Sequence, residues 1–195
     1  EVELAFYRRA GWNDSALAYW RDNYGGISSM VHPLPERFRR IGDGDVLSIG
    51  EHDWQVIVGQ GHTAEHACLY CAELGLFISG DQVLPLISSN VSVQAREPDG
   101  DPLGEWMVSM RRIRDRVSDR VLVLPSHNDC FRGLHARIND LVDSQQRLLE
   151  RLHAECATPA AVSIFSSVCL VGRLAWMTAS CWRWRPVKAA PTSTA

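Results

Sequence analysis

Hydrophobic positions fall into two kinds of period along this chain. Leu103, Trp106, Met107, Met110, Ile113 and Val117 recur at helical spacing and predict an amphipathic helix over Pro102–Val117. Leu134, Ile138, Leu141, Val142, Leu148, Leu149 and Leu152 mark one face of a longer helix with polar residues opposite. Short apolar runs bounded by turn residues read as strands. Asp45–Ile49 and Trp54–Val58, preceded by Asp43-Gly44 and separated by Gly50 to Asp53, predict one hairpin. Ala67–Cys71 and Leu76–Ser79, around Glu73-Leu74-Gly75, predict a second, and Val121–Leu124 is one more strand. The opening, Glu1–Tyr24, has helical character broken at Gly11, with Asn13, Asp14 and Ser15 placed to cap a second helix. Strands alternating with helices predict an α/β layered fold.

The pattern fails after residue 156. Ala157–Ala195 holds three of the seven Trp residues and the only Lys, and it follows neither period. The expected division is a partial domain over residues 1–156 and a disordered or frame-shifted tail over 157–195. Its apolar part, Ala161–Met177, is interrupted by Ser163, Ser166, Ser167 and Arg173, so it does not read as a membrane span. Interleaved Trp and Arg could suit an interfacial or single-stranded nucleic-acid patch; disorder accounts for the composition more simply.

Composition changes little. At 195 residues, 46% hydrophobic and 22% charged, the chain is an ordinary globular one. The tail's four basic residues come with no Asp or Glu, so 16 of the 20 basic residues and all 23 acidic ones precede it. An acidic body gives no reason to expect nucleic acid or an anionic membrane as partner, and a small-molecule substrate is expected instead. Oligomeric state is not legible. Six cysteines in a chain this apolar read as free thiols in a reducing cytoplasm, and Cys68-x-x-Cys71 reads as core packing, because residues three apart on a strand point to opposite faces. The start at Glu1, with no basic-then-apolar leader, reads as the inner part of a longer protein.

The chemistry gathers at three strand ends: Gly61-His62-Thr63-Ala64-Glu65-His66, Ser79-Gly80-Asp81, and Leu124-Pro125-Ser126-His127. Taken singly, each is compatible with a capping or turn role. Together they set imidazole, carboxylate and imidazole on loops that follow buried strands, a donor set suited to zinc or iron. No competing nucleophile stands out, since Cys68 and Ser88 have no recognisable orienting partner. His32, His52, His135 and His153 read as surface or helix-face residues.

In order, spacing and flanking residues these stretches resemble the second half of the metallo-β-lactamase superfamily of metal-dependent hydrolases, over roughly Asp43 to Leu152. The resemblance implies a partial αββα sandwich in which His62 is a ligand of one metal, Asp81 bridges two metals and is catalytic, and His127 is a ligand of the other. It implies one or two Zn2+ ions, with Fe or Mn possible, and hydrolysis of an ester, thioester, lactone or phosphoester by metal-activated water. The strings Ser79–Pro85, Ile87–Ser92 and Gly133–Ile138 look like an uncharacterised branch rather than the antibiotic-resistance enzymes. His66, Ser88 and Asn90 are assigned to the pocket wall or to holding a ligand in place. Asn128 stands where the family usually has Gly, and Asn also tolerates a left-handed backbone. The family's His-x-His-x-Asp-His string is absent from the sequence. An N-terminally truncated hydrolase, inactive alone, is therefore expected; a degenerate non-catalytic copy, or an iron-dependent redox member of the fold, is the alternative.

Overall fold

The computed structural model describes residues 2–23 and 35–155. The tail, His32, Cys156, Cys169 and Cys181 lie outside the described residues. In chain order the elements are α1 (Val2–Arg9), α2 (Asp14–Asn23), β1 (Val46–Ile49), β2 (His52–Gly59), β3 (His66–Cys71), β4 (Leu76–Gly80), α3 (Pro102–Arg116), β5 (Leu122–Pro125) and α4 (Leu134–Glu155). Each agrees with its predicted position to within a few residues. The difference that matters is at β3, which begins at His66 rather than Ala67, because His66 pairs with Gly59 as the last rung of the β2–β3 ladder. His66 is therefore held by the sheet.

The five strands form one sheet in the order β1-β2-β3-β4-β5. The first three pairings are antiparallel, while β5 returns through α3 to lie parallel to β4. That crossover sets the C-terminal ends of β4 and β5 side by side, and Ser126 N–H donates to the Gly80 carbonyl at 3.1 Å. Helices α3 and α4 cover one face. Ile57, Cys68, Phe77 and Val123 meet Trp106, Met110 and Ile113 of α3 and Leu134, Ile138 and Leu141 of α4 in one core. Each such large side chain contributes about 1.5–3 kcal/mol by leaving water. The register aligns Val56, Leu69, Ile78 and Leu124 on the opposite face, where Val56 is fully buried and Ile78 is 37% exposed. One β layer backed by one α layer is half of a four-layer sandwich. No helix among the described residues is long and apolar enough to cross a membrane.

Local chemistry sets the helix ends. Asn13 Oδ1 accepts from Ala16 N–H at 2.9 Å and so caps α2. Asp101 accepts from Gly104 N–H at 2.9 Å, with Pro102 opening α3, where its missing N–H costs nothing. Arg116 reaches back from the end of α3 to both oxygens of Asp43 at 2.9 and 2.8 Å, and Asp43 also accepts from Val58 N–H. Burial works against this carboxylate, but the Val58 bond and Arg116 together hold its pKa below the usual value.

Gly61 fixes how β2 meets α3. Its φ is +92°, and a Cβ there would lie 2.4 Å from the Pro102 carbonyl oxygen and from Trp106 Cβ. Neither neighbour is the free end of a flexible side chain. Gly61→Ala is therefore expected to lower stability by about 1–3 kcal/mol through overpacking, read from the urea unfolding midpoint. An unchanged midpoint would show that the loop is not pressed on the helix.

Cys68 and Cys71 are free and fully buried, on opposite faces of β3 as expected. Burial pushes the Cys68 thiol up to about 12. Cys130 is free and exposed. Alkylation of the native protein at mildly alkaline pH, mapped by mass spectrometry, should label Cys130 and spare Cys68 until denaturant is added. Equal labelling of the two in the native state would contradict this core.

Candidate metal centre

The site grows from three strand ends braced by buried polar side chains. Beyond β2, Gln60 N–H donates to Ser109 Oγ of α3 at 3.1 Å. Gln82, fully buried beside Asp81, donates to the Gln60 carbonyl at 3.1 Å and to Ser109 Oγ at 3.0 Å. One amide thus ties the His62 loop to the Asp81 loop. Gly59 makes room, since a Cβ there would overlap the Gln82 side chain at 2.3 Å.

The Asp81 peptide is held on both sides. Its N–H donates to His66 Nε2 at 3.0 Å, and its carbonyl accepts from Ser89 Oγ at 2.5 Å. Gly80, at φ +53°, lets the backbone pass under the imidazole, because a Cβ there would lie 2.5 Å from His66 Nε2. Accepting that bond requires His66 to be neutral at Nε2. Burial first, and the neighbouring His62 second, lower its pKa in the direction that favours this form. Asn128 is the one non-glycine residue at positive φ among the described residues, +66°, so the turn after His127 takes the left-handed form that Asn tolerates.

These restraints bring His62, Asp81 and His127 together. His62 Nε2 lies 3.5 Å from Asp81 Oδ2, and His127 Nε2 lies 3.2 Å from Asp81 Oδ1. Both distances approximate the ~3.3–3.6 Å edge of a tetrahedron with metal–ligand bonds of ~2.0–2.2 Å. His62 Nδ1 is 2.8 Å from the Asn90 carbonyl oxygen. A carbonyl can only accept, so Nδ1 carries a proton, and when the ring is neutral its Nε2 lone pair faces a carboxylate oxygen. Two lone pairs at that distance need a cation or a shared proton between them. Asp81 Oδ1 is buried and has no hydrogen-bond donor, because the approach of His127 lacks hydrogen-bond geometry.

Imidazole and carboxylate are donors of the kind a divalent metal takes, but the set is incomplete. Among the described residues no three His, Cys, Asp or Glu side chains form a group able to hold one ion, and a zinc centre normally takes three or four protein ligands. His62 and Asp81 are partly buried, whereas the His127 side chain is 63% exposed.

The remaining sequence assignments divide. His66 contacts the Asp81 backbone, and its ring lies edge-on to His62 at 5.8 Å. Asn90 enters through its main-chain carbonyl rather than its side chain, whose Oδ1 accepts from Ser92. Ser88 is half-buried and makes none of these bonds, which fall to its neighbour Ser89. Gln82, Ser89 and Ser109 were not foreseen. Their signal was faint: polar residues at otherwise apolar helix and loop positions.

Residues 9–127 match the family model described as the metallo-beta-lactamase superfamily. A beta-lactamase domain protein from Burkholderia ambifaria has a similar crystal structure, with TM-score 0.66 and 41% identity over 69% of this chain and 42% of that one. A hydroxyacylglutathione hydrolase of Rhodobacter capsulatus is 37% identical over 59 residues, 30% of this chain and 23% of the relative. A probable metallo-hydrolase of Bacillus subtilis (strain 168) is 30% identical over 105 residues, 52% of this chain and 32% of the relative. The chain thus spans less than half the length of each of these three proteins. With its strand-end motifs, its half-sandwich and a family match over most of its length, the chain belongs to the metallo-β-lactamase superfamily.

Proposed function

We propose that His62, Asp81 and His127 form one half of a two-metal hydrolase centre, completed by a His-x-His-x-Asp-His segment that this sequence does not contain. The observation that carries this reading is His62 Nε2 held toward Asp81 by the Asn90 carbonyl on the other ring nitrogen, beside a buried carboxylate oxygen that lacks a donor. Orientation of a ligating imidazole through its other nitrogen is how metal sites fix tautomer and aim. Zinc suits the donor set, with iron or manganese as alternatives.

When bound, such a metal supplies Lewis acidity and activates water at neutral pH. The chain's own residues do the positioning. Asp81 offers one oxygen to each side, which suits a bridge. His66 and Ser89 fix the Asp81 peptide so that the carboxylate does not turn away. His127 is the most exposed of the three and stands on the open side of Asp81. An acyl ester or thioester is the first substrate class to test, because the matched stretch of the Rhodobacter capsulatus relative belongs to a hydrolase named for hydroxyacylglutathione.

Turnover of an ester and thioester panel by a full-length version carrying the missing segment tests this directly. Asp81→Ala should abolish metal-dependent turnover, and His66→Ala should weaken zinc binding by about 10–100-fold, the usual effect of losing a group that orients a ligand. The 195-residue chain alone should turn over none of the panel. Robust hydrolysis by the isolated chain, or a fully active Asp81→Ala protein, would show that the chemistry runs elsewhere.

A further inference from the structure

The segment from Asp81 to Asn90 carries two of the contacts that shape the cradle. Ser89 Oγ donates to the Asp81 carbonyl, and the Asn90 carbonyl accepts from His62 Nδ1. The first turn of the segment is tied down locally, with Gln82 N–H donating to the Ser79 carbonyl at 3.0 Å and Ser79 Oγ to the Val83 carbonyl at 2.8 Å. Beyond Val83 that local support ends. Among the described residues no backbone–backbone hydrogen bond involves residues 84–90, so neither a helix nor a ladder fixes where Ser89 and Asn90 come to rest.

Arg137 of α4 supplies the missing hold. Its Nε donates to the Leu84 carbonyl at 2.7 Å and its Nη2 to the Ile87 carbonyl at 3.0 Å. One guanidinium thus grips the chain on both sides of Pro85-Leu86. A lysine ammonium, a point donor on a flexible stem, could not match two carbonyls with the same fixed geometry. The Arg137 side chain is half-buried, and burial lowers its pKa while Asp140 acts against that. Taking a charge out of water is costly unless hydrogen bonds compensate for it, and these two carbonyls do so. The helix beneath is firm, since Leu134 and Ile138, on either side of Arg137 in the sequence, are fully buried in the core.

We propose that Arg137, although it bonds to none of His62, Asp81 and His127, is a positioning residue of the cradle. By holding the 84–87 backbone it sets the Asn90 carbonyl behind His62 and the Ser89 hydroxyl behind Asp81. Its consequence for metal rests on the two-metal reading above, whereas its consequence for the His62 ring does not. Removing the guanidinium leaves the Leu84 and Ile87 carbonyls without their donor and lets Ser89 and Asn90 drift together, so His62 loses the acceptor that fixes its tautomer.

Ring-nitrogen NMR of the metal-free 195-residue chain, at a pH where His62 is neutral, reads this without turnover. Wild-type His62 should show a protonated Nδ1 and a bare Nε2. Arg137→Met, which loses every donor, should show ring signals averaged between the two tautomers, and Arg137→Lys, which keeps the charge but not the fork, should fall between. Should Arg137→Met fail to fold, Arg137→Lys carries the test. Val142→Ala, a core substitution further along α4, is the control for lost stability; it should lower the melting temperature and leave the His62 signals unchanged. Wild-type His62 signals in the folded Arg137 variants, or an equal change in Val142→Ala, would overturn the proposal. Zinc titration by calorimetry separates the two readings, because Arg137→Met should weaken zinc about tenfold or more, as loss of a group that orients a ligand does. A wild-type chain that takes no zinc while the variants show the His62 change counts against the metal centre alone. Zinc held equally by wild type and Arg137→Met, with His62 unchanged, counts against the role of Arg137 alone.

Discussion

Asp81 stands between two imidazoles because its own peptide is clamped, N–H on His66 and C=O on Ser89. The rest of the site depends on that clamp. A carboxylate on a free loop would rotate to water or to a protonated histidine, and its two oxygens would not divide between His62 and His127. Here the sheet supplies His66 from the first rung of β3, and Gly80 supplies the close approach. The β4–α3–β5 crossover then lays the His127 strand beside the Asp81 strand. Sheet register, rather than any side-chain pair, sets the spacing of the ligands.

Beneath the clamp lies a buried polar node formed by Gln82, Ser109 and the Gln60 backbone. Its donors are paired, which orients the Gln82 amide, while Gln82 Oε1 is buried without a partner. The node links the two loops to α3, which is itself anchored in the core through Trp106, Met110 and Ile113. Packing in the core is thereby carried to the metal cradle through a short set of hydrogen bonds.

Much of this was legible in the residues themselves. Apolar runs with Gly and Asp at their ends located the strands, and a helical period located α3 and α4, because burial on one face imposes its spacing on the sequence. The three strand-end motifs marked His62, Asp81 and His127. What could not be read belongs to long-range contact. A main-chain carbonyl has no sequence signature, so the Asn90 oxygen behind His62 was hidden, and Ser88 could not be told from Ser89. His66 was recognised as a residue of the site, but its bond to the Asp81 N–H needs the β3 register to be known.

The central claim is that the fold holds His62 and Asp81 as donors aimed at a common cation. Zinc anomalous scattering from crystals of the chain grown with millimolar zinc tests it most directly. The account predicts a peak about 2.0–2.2 Å from His62 Nε2 and from an Asp81 oxygen, with Nδ1 still donating to the Asn90 carbonyl. Zinc bound elsewhere on the protein, with this cradle empty or His62 turned so that Nε2 meets Asn90, would contradict it.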